Sequence, residues 1–234
     1  MIQPLLEHPE IFLSEPMWYE IDDMLTPLQQ YWALTGINDP SCLSLGVFDR
    51  SPASNRDTWH SGMVTSKHFR NYDVATLQLP FIPTIGANGA VFRASVLKTI
   101  DYHALLDVDK CYALCLLGHT TFAKVRIGII HSFASNIHEY RTKARRKAAS
   151  FSDGSSFIEQ RHQGQPGRTY KYPWYRLTFF VLHVILVFPM IYFIASNYIK
   201  YPHRSWLYHF PVCLITLQEY SFAVLSNVRR EVSH

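Results

Sequence analysis

Asp107 and Asp109 stand at the start of a helix-like run, and His131 closes a strand-like run 22 to 24 residues beyond them. Carboxylates and imidazoles move protons and hold cations near neutral pH. Asn88 and Gly89 lie in a Gly-Ala-Asn-Gly turn, where glycine permits positive φ or close approach to a ligand. Two elements must position the acids and the histidine. Asp107 is a helix cap in character, Val108, Cys111, Tyr112 and Cys115 recur at helical spacing, and Gly118 is a natural stop. Thr121 to His131 then forms a strand with Val125, Ile127 and Ile129 on one face. A helix leaving an edge and a strand returning to it bring either acid and His131 to one cleft. Structural roles compete with each reading. Asp107 serves equally as a cap worth about 1 kcal/mol, and Asp109 as a first-turn acid favoured by the helix dipole. His131 serves equally as a core histidine, and Asn88-Gly89 as an ordinary turn.

Around this unit, residues 1–135 are soluble and mixed α/β in character. Tyr72 to Leu79 alternates apolar and polar residues, the period of a half-buried strand. Asp49 to Asn71 is polar and aperiodic and is expected to be a loop. Hydrophobic residues make up 48% of the chain, enough to bury a core. A net charge of +4 is too mild to imply a nucleic-acid partner. The four cysteines, Cys42, Cys111, Cys115 and Cys213, contain no CxxC pair, so they are expected to be reduced core residues. The N-terminal stretch lacks the basic and apolar regions of a signal peptide.

Leu177 to Ser196 has no formally charged residue and is about long enough, at about 20 residues, to cross a bilayer. His183 and Pro189 weaken it slightly. Trp206 to Leu225 is a weaker second candidate, because Gln218 and Glu219 lie inside it and a mid-membrane carboxylate costs about 3 kcal/mol. An interfacial or re-entrant helix is the alternative there. The short connection Asn197 to Ser205 implies an antiparallel hairpin. Arg161, Arg168, Lys171 and Arg176 precede it and Arg229 and Arg230 follow it, so both ends are expected in the cytoplasm. Two buried helices of a soluble protein are the competing reading.

Ile137, Tyr140, Ala144, Ala148 and Phe151 make a narrow apolar stripe, with Arg141, Lys143, Arg145, Arg146 and Lys147 covering much of the rest. That pattern fits a helix at an anionic membrane surface. Phosphates of a substrate, or plain solvation, are the alternatives. Ser152 to Gly167 is a linker in composition.

Phe81-Ile-Pro-Thr84-Ile-Gly86-Ala-Asn88-Gly89-Ala-Val-Phe-Arg93 resembles the segment of family 2 glycosyltransferases that lines the sugar pocket. Asp107-Val-Asp109-Lys-Cys-Tyr resembles their carboxylate motif at a helix start, and Lys124 to His131 their strand ending in a histidine near the diphosphate. The helix through Arg145 and Arg146 holds the place of an arginine-bearing element of that family. The resemblance covers roughly residues 1 to 150. It implies an α/β fold, a partial type-A nucleotide-sugar transferase domain (1–135), followed by a basic helix and linker (136–175), a transmembrane hairpin (176–226) and a tail (227–234).

The same resemblance implies transfer of a sugar from a nucleoside diphosphate sugar to a lipid-linked or polysaccharide acceptor at the membrane. Inversion with Asp107 as base is expected, Asp109 being the second acid. Thr84, Gly86, Asn88, Gly89, Arg93, Arg145 and Arg146 are the substrate-binding residues it implies. His131 is the implied metal ligand or diphosphate donor. A divalent metal, Mg or Mn, would depend on the D-x-D-type motif that closes the family's N-terminal nucleotide-binding half and has no counterpart near the start here; Asp22-Asp23 is the only adjacent acid pair there. No glycine-rich phosphate loop occurs either. The nucleotide-binding half is therefore expected in a separate partner chain or in a longer gene product. A non-catalytic membrane-anchored scaffold or partner subunit is the remaining alternative.

Overall fold

The computed structural model describes residues 1–46, 50–56, 59, 64–79, 83, 85, 88–100, 107–152 and 174–232; at 107–109, 150–152, 174 and 227–232 it describes the backbone alone. The chain divides into two compact units, one of Met1–Asp22, Trp32–Ile37 and Gly46–His131, the other of Asp23–Tyr31, Asn38–Leu45 and Ser132–His234.

The first unit is built on a five-stranded mixed sheet in the order β2-β3-β5-β1-β4. Its strands are β1 (Ile11–Tyr19), β2 (Val64–His68), β3 (Tyr72–Leu77), β4 (Val91–Phe92) and β5 (Thr121–Ile129). β1 and β5 run parallel, while β2–β3, β3–β5 and β1–β4 are antiparallel. The short helices α1 (Gln3–Glu7) and α4 (Ala94–Leu97) and the longer α5 (Asp107–Leu116) accompany it. Ile11, Tyr72, Val74, Ala123 and Val125 pack together, with Met1 and Leu5 against them.

α5 and β5 form as the sequence predicts. α5 begins at Asp107, buries Cys111, Leu114 and Cys115, and ends before Gly118, whose φ of +89° suits only a residue without a side chain. Burial pushes the Cys115 thiol up to about 12, so it is an inert core group at neutral pH. β3 also lies where its alternation predicts, but it is buried on both faces instead of one, with only Thr76 exposed.

Two expectations are corrected. The Asp49–Asn71 stretch contains β2, a polar edge strand pairing Val64 with Leu77. Lys67 on such an edge discourages pairing with other chains. The single apolar face expected for β5 is broken: Val125 is buried, but Ile127 is exposed. The register against β1 slips between Pro16↔Val125 and Trp18↔Gly128, so β5 carries one extra residue there and its alternation reverses. β1 is a central strand despite Glu15 and Pro16. β4 pairs only with Leu13 and Ser14, so Pro16, which has no N–H for a ladder, lies beyond that pairing.

The second unit is helical. It contains α3 (Ser41–Leu45), α6 (Ile137–Ser152), α7 (Trp174–Ile185), α8 (Phe188–Lys200), a 3₁₀ turn (Arg204–Tyr208) and α9 (His209–Val232). α2 (Pro27–Thr35) begins in this unit and ends in the first. α6 starts with reciprocal caps: Asn136 Oδ1 accepts from Glu139 N at 2.9 Å, and the Glu139 carboxylate accepts from Ser135 N at 2.7 Å.

The apolar stripe of α6 exists, but it does not face lipid. Tyr140, Ala144 and Ala148 are buried, and Tyr140 bonds to Thr216 of α9 at 2.5 Å. The cations beside the stripe are paired as well. Arg145 and Arg141 reach Glu219 at 2.9 and 3.4 Å, Lys147 reaches Asp39 at 2.9 Å, and Lys143 reaches Glu139 at 2.8 Å. Pairing ties these side chains to α9 and to Asp39. It also explains how Glu219 sits buried inside an apolar helix.

The first arm of the expected hairpin is not one continuous helix. Among the described residues no single helix is long and apolar enough to cross a membrane. The first apolar stretch is broken into α7 and α8, bent by 87°. Val187 takes φ +60°, and Pro189 sits in the first turn of α8, where its missing N–H costs nothing. Proline thus starts a new helix instead of being absorbed in one long one.

Candidate functional site

Parallel strands present ligand sites beyond their carboxyl ends. In the first unit that edge is where β1 ends at Tyr19 and β5 at Ile129. Glu20 extends the ladder one step, its N–H donating to the Ile129 carbonyl at 2.9 Å. His131 follows β5 directly and stacks on Tyr19 with ring centroids 4.8 Å apart. The Asn88-Gly89 turn arrives at the same place. Asn88 Nδ2 lies 3.5 Å from His131 Nε2.

The turn is held from beneath. Asn88 and Gly89 both have positive φ, +41° and +80°. A Cβ on Gly89 would stand 3.2 Å from Ile129 Cδ1 and from Pro16 Cγ, so the turn lies flat on both parallel strands. The Asn88 carbonyl accepts from Arg50 Nη2 at 2.9 Å. Arg50 has no solvent exposure and shares the equally buried Glu15 with Lys124: Arg50 Nη1 to Oε2 is 3.0 Å and Lys124 Nζ to Oε1 is 2.7 Å. Glu15 thus ties Arg50 and Lys124 together beneath the turn.

The rim carries further polar groups. Trp18 Nε1 donates to Glu20 Oε1 at 2.6 Å, and Arg56 reaches Glu20 Oε2 at 3.5 Å. Gly128 lies under this pair; any side chain there would collide with Glu20 and Trp18. Asn88 is exposed, and His131, Trp18 and Glu20 are partly so. The arrangement offers an imidazole, an amide, an indole and a carboxylate at one half-open edge, which suits a polar, hydroxyl-bearing ligand.

Of the residues singled out from the sequence, Asn88, Gly89 and His131 come together here. Arg93 does not join them. Its guanidinium donates to the carbonyls of Leu5, His8 and Ile11 at 2.5, 3.1 and 3.0 Å, at the opposite end of β1, where it ties down the N-terminal segment. Arg145 belongs to the second unit and pairs with Glu219, and Arg146 is exposed on the same helix. Thr84 and Gly86 lie outside the described residues. So do the side chains of Asp107 and Asp109, although the helix they open is in place.

Sequence reasoning missed Tyr19, Glu20 and Arg50. Their signal is faint, because β1 is interrupted by charge and proline and Arg50 sits beside an aperiodic stretch. Among the described residues, the group of His, Cys, Asp and Glu donors close enough to share an ion is His183, His209 and Cys213 of the second unit; it does not include His131. Comparison with protein-family models, with curated proteins and with solved structures finds no match.

Proposed function

We propose that this chain is the acceptor-side portion of a membrane-associated sugar-nucleotide transferase resembling family 2. It moves a sugar from a nucleoside diphosphate sugar to a lipid-linked or polysaccharide acceptor. The observation that carries the reading is the Asn88-Gly89 turn, laid across the carboxyl edge of the β1–β5 pair beside His131 and fastened by buried Arg50. A turn fixed by a buried cation can hold sugar hydroxyls in one orientation, and orientation is a large part of transfer catalysis. Asp107, at the head of the helix that leads into β5, is the proposed base for an inverting attack, with Asp109 supporting it. His131 is proposed to hydrogen-bond the diphosphate.

The Mg or Mn ion implied by the resemblance gains no support around His131. One imidazole with an amide group 3.5 Å away is not the oxygen-rich cage a hard cation takes. A nucleotide-binding half, in a partner chain or in adjoining sequence, completes this proposal.

The second unit supplies the membrane contact. Phe179, Ile185, Phe188, Ile191, Tyr192 and Ile199 on α7 and α8, and Leu186 between them, are all more than half exposed. Apolar surface of that extent seeks lipid or a partner. At 1.5 Å per residue the two helices are about 18 and 20 Å long, short of a bilayer core of about 30 Å. A broken, re-entrant insertion follows, and the protein should remain in the membrane pellet after a carbonate wash. A non-catalytic anchoring subunit is the second reading, favoured by the same exposed surface.

Transfer of labelled sugar in native membranes separates the two. Asp107→Asn should abolish transfer while the protein accumulates normally. Undiminished transfer would remove Asp107 from the mechanism and favour the anchoring role.

A further inference from the structure

We propose that His183, His209 and Cys213 bind a single zinc-class transition-metal ion within the helical unit. The inference is independent of the transferase reading and uses none of its residues. His209 opens α9 and Cys213 follows one helical turn later, so the two point the same way. His183 comes from α7, across the corner that breaks the apolar segment.

The three donor atoms converge. His183 Nε2 lies 3.0 Å from His209 Nε2, and Cys213 Sγ lies 3.5 Å from that same nitrogen. All three pairs fall within 4.8 Å. Zinc bonds of about 2.05 Å to nitrogen and about 2.3 Å to sulfur, at tetrahedral angles, set neighbouring donors about 3.3 Å (N to N) and about 3.6 Å (N to S) apart. The two short separations match these values, and the third side has only to close modestly. Two imidazoles with one thiolate is a donor set that zinc accepts and that magnesium and calcium do not.

A second feature points the same way. The other ring nitrogen of His209, Nδ1, is 2.8 Å from the hydroxyl of Tyr31. When Nδ1–H donates to that oxygen, Nε2 keeps a free lone pair for an ion; Cys213 Sγ, 3.8 Å from Nδ1 as well as 3.5 Å from Nε2, lies beside the ring and has to swing off it to share that ion. Metal-ligating histidines are ordinarily fixed in this way by a partner on the non-ligating nitrogen. Phe193 stacks on the His209 ring with centroids 4.2 Å apart and restrains it further. Around the sulfur, Phe180, Val184 and Met190 pack into an apolar cluster. A thiolate formed there gains its compensating charge from the ion. Three protein donors leave a fourth position for water or an added ligand.

The test uses the full chain in detergent, stripped with a chelator and titrated with Co2+ as a coloured surrogate for zinc. One cobalt per chain, an intense sulfur-to-metal band and displacement by Zn2+ are expected. Cys213→Ser should remove the band. Tyr31→Phe, which touches no ligand atom of the metal, should weaken binding about 10- to 100-fold. A folded wild-type protein that shows no sulfur-to-metal band would overturn the proposal, leaving a hydrogen-bonded histidine pair beside a core thiol. A band that survives Cys213→Ser would overturn it as well. If Cys213→Ser fails to fold, the wild-type spectrum and Tyr31→Phe still decide.

Discussion

Replacing Glu15 by glutamine tests the buried cluster that anchors the candidate site. Glu15, Arg50 and Lys124 have no solvent exposure, and the carboxylate takes one cation on each oxygen, at 3.0 and 2.7 Å. The substitution keeps shape and removes charge, leaving two buried cations facing a neutral amide. Removing one partner of a buried ion pair costs about 3–5 kcal/mol. That is a large share of the roughly 5–15 kcal/mol that holds a typical domain together. For a chain of this size each kcal/mol shifts the melting point by about 2–4 °C, so a fall of roughly 6–20 °C is expected. Trp59 reports the event locally, because Lys124 Nζ sits 4.7 Å from its ring centroid. Urea unfolding followed by tryptophan fluorescence is the assay. A companion double variant, Glu15→Leu with Lys124→Met, restores the cluster's original net charge and should cost less than Glu15→Gln alone. The reasoning fails if Glu15→Gln costs less than about 1 kcal/mol, or if the double variant is worse by the sum of its parts.

Gly89→Ala should destabilise the first unit by about 1–2 kcal/mol, because a side chain at φ +80° meets left-handed strain and presses on Ile129 and Pro16. On the proposed function it also lowers sugar transfer more than it lowers protein level, checked by activity per folded molecule. In the second unit, Lys143 and then the Ser135 amide and hydroxyl hold the Glu139 carboxyl down at about 2, below its usual range. A carboxyl lowered on folding contributes stability above its unfolded value, and that contribution fades as pH falls from about 4.5 towards 2. Glu139→Gln should therefore flatten the loss of helical signal over that acid range, and an unchanged profile would discount the cap.

Local chemistry made some of the fold legible. An acid, helical spacing of Cys111 and Cys115, and a closing glycine announced α5, because caps and periodicity act within a few residues. β1 stayed hidden for the opposite reason. Glu15 is stable in a central strand only because Arg50 and Lys124, distant in sequence, converge on it, and no local window contains that fact. The stripe on α6 was readable as apolar, but its partner was not: spacing says that a face is buried without saying what covers it. Likewise the apolar content of 177–196 was plain, while the corner depends on Val187 adopting a backbone conformation that its side chain disfavours. At the candidate site, Asn88, Gly89 and His131 were visible as residue types. Tyr19, Glu20 and Arg50 became visible only once the sheet order was known.

The right angle at Val187 changes what the greasy segment is able to do. A straight rod of this length would deliver the following residues to the far face of a bilayer. An L-shaped pair spends its length covering area, so against a bilayer it would displace lipid in one leaflet and hand the chain back near the side it came from.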